Sequence, residues 1–197
     1  MKYIKLYEQA EPRHQVYRSP DGSVEEEQWL LNGKLHRLGG PAWIEYRPDG
    51  SVKDELWYLN DKLHRLDGPA EIEYYKNGKK KYEAWHLNGR PHREDGPARI
   101  EYRPDGSVER VSWHLNGTLH REDGPARIEY RPDGSVDLEK WLLNGTLHRE
   151  DGPARIWYYP DGSVEEEQWW FKGERINGVE SLADFKIFVS AKQLGLI

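Results

Sequence analysis

Apolar and polar residues alternate along this chain in short runs, and each run stops at a turn signal. From Ala98 to Arg103, Ala98, Ile100 and Tyr102 fall on one side, and Arg99, Glu101 and Arg103 on the other. A period of two predicts a half-buried strand. Arg103-Pro104-Asp105-Gly106 follows. Proline presets φ for a turn and glycine accepts a positive φ, so a reverse turn should lead into a second strand from Ser107 to Leu115. That strand ends at Asn116-Gly117, a strong hairpin signal because a type I′ turn needs φ > 0 at both central residues. Leu119-His120 predicts a short third strand, and Asp123-Gly124-Pro125 ends it, since proline disfavours helix at itself and at the residue before it.

The same pattern returns every 28 residues. The phrase Leu119-His120-Arg121-Glu122-Asp123-Gly124-Pro125-Ala126 recurs with small changes from Leu35, Leu63, Pro91 and Leu147, without an insertion. Six tryptophans mark the copies: Trp29, Trp57, Trp85, Trp113, Trp141 and Trp169. One such unit cannot stay folded alone, because an isolated hairpin is marginal in water. Stacked units bury a continuous face, so the expected fold is an all-β repeat array of antiparallel hairpins. With strands about 4.8 Å apart, six two-stranded units would make a ribbon or solenoid on the order of 55 Å long. A four-stranded propeller blade needs about 40 residues, which favours an open array. The predicted boundaries are an N-terminal cap over 1–15, with Tyr3, Ile4 and Leu6 in a short strand, six repeats over 16–174, and a helical cap over 175–197. In the last segment Ser181 suits an N-cap, and Leu182, Phe185, Phe188 and Val189 share one helical face from about Leu182 to Lys192. That helix would cover the open edge of the last repeat.

Comparing the copies separates two sets of positions on the second strand. One is nearly constant: Glu27, Glu55, Glu83, Val111, Glu139 and Glu167, then the six tryptophans, then Leu31, Leu59, Leu87, Leu115, Leu143 and Phe171. Trp and Leu should form the packed face. The acidic position, at its edge, should pair with a repeated arginine such as Arg65 or Arg93, which can also stack on a tryptophan. The other set varies: Glu26, Gln28, Leu30; Asp54, Leu56, Tyr58; Tyr82, Ala84, His86; Arg110, Ser112, His114; Leu138, Lys140, Leu142; Glu166, Gln168, Trp170. It can be a binding face, a second packing layer or plain surface. Its apolar content favours the first two, and Tyr58, Tyr82, His86, His114, Leu138, Leu142 and Trp170 are the candidate binding residues.

Composition narrows the chemistry. Charged residues make up 32 % and the formal net charge is −6. That would suggest disorder without the nine Trp and twelve Tyr. The mild acidity argues against nucleic acid as a partner. The absence of cysteine removes disulfides, thiol catalysis and Cys-ligated zinc. No apolar run suits a signal peptide or a membrane span, and a cytoplasmic setting is expected. The tempting chemical motif is His-Arg-x-Asp, at His64/Asp67, His92/Asp95, His120/Asp123 and His148/Asp151, with Gly39 in place of Asp in the first copy. Four equal copies along an array favour a structural ladder over metal binding or acid–base catalysis: Asp would cap turn amides and His would bond to a neighbouring unit. The Asp-Gly-Ser turns lack the dense glycine and aspartate of calcium repeats. There is no phosphate-binding, dinucleotide-binding or hydrolase signature. The expectation is therefore not an enzyme, with no cofactor and no metal.

Glu73-Tyr74-Tyr75-Lys76-Asn77-Gly78-Lys79, followed by Trp85-His86-Leu87-Asn88-Gly89-Arg90, resembles the MORN-type hairpin repeats, including the antitoxin-type variant. The Leu-His-Arg-Glu-Asp-Gly-Pro-Ala phrase resembles repeat proteins of phages, bacteria and giant viruses. The resemblance spans residues 16 to about 174. The period of 28 is longer than the usual MORN unit, and the Asp-Gly-Pro joint is a further departure. The resemblance implies a scaffold that binds another protein, with neutralisation of a toxin or defence protein as one such role. The alternative from the residues is glycan or small-ligand binding in aromatic clefts between repeats.

Overall fold

The computed structural model describes residues 11–179 and 181–196. The strand expected around Tyr3, Ile4 and Leu6 lies outside the described residues. The chain is an all-β array of stacked hairpins with one C-terminal helix, Leu182–Gln193. In each unit two strands enter one long antiparallel sheet, and successive units add side by side in chain order. In the fourth copy these are Arg99–Tyr102 and Val108–Ser112. The neighbours across the unit boundaries, Lys80–Ala84 and Arg127–Tyr130, pair with them. The array therefore grows by ordinary strand pairing.

The loop between the two long strands is set by its aspartate. Asp105 Oδ1 accepts from the Ser107 backbone N–H at 2.8 Å and from its hydroxyl at 2.7 Å, and Gly106 takes φ +92°. These bonds hold the Asp105 carboxyl below the usual carboxylate range. A bulge just before the loop, where Tyr102 pairs with Val108, lets the chain turn. The loops are also tied to each other. Arg103 reaches the Tyr130 carbonyl of the next unit, and Arg47 and Arg131 do the same to Tyr74 and Tyr158. Where the third unit has Tyr75 in place of this arginine, its hydroxyl donates to the Tyr102 carbonyl at 2.7 Å. A different side chain makes the same tie.

The expected continuous second strand, Ser107 to Leu115, is corrected. It breaks at Trp113, and His114–Leu115 pairs with Thr118–Leu119 in a separate small hairpin. Trp113 N–H donates to the Ala126 carbonyl of the next unit, while its carbonyl accepts from His120 N–H. The two bonds mark the place where the chain leaves the long sheet, although Trp29 makes the same pair with Ala42 and His36 inside an unbroken strand. The second, third and fifth units behave alike, whereas Val24–Leu31 and Val164–Phe171 run through unbroken. The small hairpins stack in turn: Gly117 N–H bonds to the Pro91 carbonyl and Arg93 N–H to the His114 carbonyl, and this pair of bonds recurs along the array.

Burial is thin. The Ala of each Gly-Pro-Ala joint is fully buried (Ala42, Ala70, Ala98, Ala126, Ala154), but the large repeated side chains are mostly half-buried. The tryptophans are held by arginine. Arg37, Arg65, Arg93, Arg121 and Arg149 lie 3.7–4.3 Å over Trp29, Trp57, Trp85, Trp113 and Trp141. Each stack adds about 0.5–2 kcal/mol, depending on desolvation. Four of these arginines also bond to the aspartate two residues on: Arg65 to Asp67, Arg93 to Asp95, Arg121 to Asp123 and Arg149 to Asp151. The expected arginine partner of the constant glutamate is thus corrected, since arginine is spent on Trp and Asp. The glutamate accepts a tyrosine hydroxyl instead, as in Tyr74–Glu55 at 2.8 Å and Tyr102–Glu83 at 2.7 Å. In the last unit Phe185 of the helix packs on Trp169 at 4.9 Å. Phe171, Ile176, Phe185 and Val189 close the end in a small core. No helix among the described residues is long and apolar enough to cross a membrane.

Candidate binding face

The variable second-strand positions that stay in the long sheet share one of its faces with first-strand residues, which comparison of the second strand alone does not reveal. Registers place these residues in two rows running across the strands. The outer row reads Glu26, Glu45, Asp54, Glu73, Tyr82, Glu101, Arg110, Glu129, Leu138, Trp157 and Glu166, each directly opposite the next. The inner row, two residues along each strand, includes Glu71, Ala84, Arg99, Ser112, Arg127, Lys140 and Arg155. The small hairpins stand beyond the inner row.

The face is polarised. Its first units carry four carboxylates in unbroken succession, Glu26 to Glu73. Lys53 bridges Glu45 at 2.9 Å and Asp54 at 3.5 Å, and Lys81 bridges Glu73 at 2.8 Å. Burial, then a hydrogen bond with Glu45, raises the Asp54 carboxyl above its ordinary range. Burial and the nearby Glu73 do the same to Glu71. The later units carry Arg99, Arg127, Lys140 and Arg155 in the inner row. Arg127 bonds Glu129 at 2.6–2.9 Å and Arg110 bonds Glu101 at 2.7 Å.

The candidate binding residues divide. Tyr58, Tyr82 and Trp170 are half-buried and reach the surface. His86, His114, Leu138 and Leu142 are 5–8 % exposed, which corrects their place on an open face. They belong to a packed layer, because the chain bends at the tryptophan and folds the hairpin close to the sheet. Burial pushes both imidazoles down to about 4, with the Arg99 guanidinium adding to the effect. His114 Nε2 lies 3.1 Å from the Ser112 hydroxyl. Both rings are therefore neutral near pH 7.

The His-Arg-x-Asp residues are not assembled as pairs. His64 Nδ1 sits 3.2 Å from Asn88 of the next unit's turn, and His120 Nδ1 is 3.1 Å from Asn144. His92 and His148 accept from the backbone N–H of Asn116 and Lys172. The expected capping of turn amides by Asp67, Asp95, Asp123 and Asp151 is corrected to a bond with the stacked arginine, whose Nε lies 2.7–2.9 Å away. Arginine also covers one face of five of the six repeated tryptophans, which occupies surfaces a sugar ring would stack on. No group of three or more His, Asp or Glu side chains suited to a metal ion occurs among the described residues. No protein-family model matches the chain, and no curated protein matches it at a significant level.

Proposed function

We propose that this chain is a non-enzymatic repeat scaffold, acting in the cytoplasm, that binds another protein through the variable face of its long sheet. One observation carries the reading: Glu26, Glu45, Asp54 and Glu73 stand directly opposite one another on four neighbouring strands. Like charges in that arrangement cost a sheet about 0.2–1 kcal/mol per pair. The contacts that stack the units run through the backbone ladder, the arginine–carbonyl and Tyr–Glu ties and the His–Asn bonds, and among the described residues none uses these carboxylates. Lys53 and Lys81 offset part of the repulsion, and a partner presenting cations would relieve the rest. Rigid stacking holds the row ready, so little ordering is lost on binding. A toxin or defence protein is the class of partner that the antitoxin-type resemblance implies.

The test is affinity capture from lysate of the native host, using the native chain, a Glu45→Lys/Glu73→Lys variant, and Glu94→Lys as an exposed control in the joint between units. Circular dichroism checks each fold. A protein held by the native chain and the control, and released by the folded face variant, supports the reading. Retention by the face variant would sink it.

A further inference from the structure

The last two units break the charge bookkeeping of the face. At the outer-row position of the first strand the copies carry Glu45, Glu73, Glu101 and Glu129, but the final copy carries Trp157. In the preceding unit that glutamate is what neutralises the arginine two residues earlier, in the pair Arg127–Glu129. Arg155 has lost the equivalent carboxylate. It lies instead over the Trp157 ring at 4.1 Å, and its Nε is buried without a hydrogen-bond partner. Lys140, directly opposite both Arg127 and Arg155, forms no ion pair among the described residues. Burial and the two flanking guanidinium groups push its ammonium group below the usual lysine range.

These side chains line one cleft between the long sheet and the stacked hairpins. Its wall includes Arg127, Lys140, Arg155, Leu142 and Trp170; its lining holds no carboxylate among the described residues, and Glu129 reaches only the Arg127 guanidinium at its edge. The Trp170 indole N–H is also buried without a partner. Cations fixed on adjacent strands, beside apolar side chains that limit hydration, attract an anion more strongly than the same groups would in water. A guanidinium fork suits a carboxylate, and a carboxylate, Glu129, is the group that holds the equivalent Arg127 in the preceding copy.

We propose that the cleft formed by Arg127, Lys140 and Arg155 is a receptor for carboxylate side chains on an acidic segment of a protein partner. The partner assignment rests on the scaffold reading above, whereas the carboxylate site can be tested without any natural partner. Two uncompensated cations call for neighbouring acidic residues, so labelled hexaglutamate is the probe. Its binding to the full chain is followed by fluorescence anisotropy at fixed ionic strength.

Lys140→Gln should weaken binding by roughly tenfold to a hundredfold, the value of one charge-assisted hydrogen bond. Trp157→Glu restores the repeat's own carboxylate beside Arg155. It should abolish binding of the peptide while holding or raising the thermal midpoint. Lys81→Gln, on the acidic half of the same face, should bind at least as well as the native chain. Equal affinity in the native, Lys140→Gln and Trp157→Glu chains would overturn the site. Phosphate displacing the peptide at concentrations where acetate does not would overturn the ligand class. Self-association of the native chain, abolished by Lys140→Gln, would overturn the separate partner and move the carboxylates to a second copy. Failure of the capture experiment with intact peptide binding would refute the face reading and leave the site standing.

Discussion

The two buried histidines make stability depend on acidity in a way that can be worked through. His86 and His114 occupy equivalent positions in neighbouring units, and both titrate at about 4 in the folded chain against an ordinary 6.5. As the pH falls through 6.5 the unfolded chain takes up protons that the folded chain refuses until about 4. Stability is therefore lost across that window and levels off below it. At pH 5 each histidine has cost about 2 kcal/mol relative to pH 7, and the pair about 4 kcal/mol, from 1.36 kcal/mol per pKa unit. The raised carboxyls of Asp54 and Glu71 act in the opposite sense, since they are relieved by protonation. The difference between two chains isolates the histidines. A His86→Gln/His114→Gln variant should lose about 4 kcal/mol less than the native chain between pH 7 and pH 5 in urea unfolding followed by tryptophan fluorescence. Proton NMR should show the two imidazoles still neutral at pH 5 in the folded native protein. Imidazole titration near 6.5, or parallel stability curves for the two chains, would refute the reasoning.

Gly124→Ala places a Cβ 2.6 Å from Arg121 Cζ, so the guanidinium must shift from its seat over Trp113. The variant should lose about 1 kcal/mol in urea unfolding, and unchanged stability would show that the stack contributes little. Tyr102→Phe removes the 2.7 Å hydroxyl donor from the buried Glu83 carboxylate. A loss of about 1–3 kcal/mol is expected, read from the shift in denaturation midpoint. Asp54→Asn relieves repulsion with Glu45 and Glu73 and should raise the thermal midpoint at pH 7. Because the folded-state pKa of Asp54 is raised, the gain should shrink as the pH falls and the native carboxyl becomes protonated. A gain independent of pH would show that ionisation is not its source.

The sequence by itself determined the period, the turns and the closing helix. These are local matters: Asp105-Gly106 bonds to its own Ser107, Asn116-Gly117 adopts positive φ wherever it stands, and Ser181 caps the helix one residue later. Sameness between copies also marked the packed framework, because each unit must fit an identical neighbour. Tertiary structure decided what depends on neighbours one unit away. The strand leaves the long sheet at Trp113, whose N–H is taken by the Ala126 carbonyl of the next unit. His86, His114, Leu138 and Leu142, which alternation alone left free to face solvent, are buried between the sheet and the hairpins. Arginine went to Trp and Asp, and glutamate to Tyr, because several acceptors compete for one guanidinium and only spatial proximity ranks them. The acidic and basic halves of the face emerged only with the register, since Glu45, Asp54 and Glu73 come from three strands and two units. A single exchange of Glu for Trp157 is visible in the sequence. That it leaves Lys140 and Arg155 facing one cleft without a counter-charge follows from strand pairing, which sets charges about 5 Å apart that the chain separates by fifteen residues.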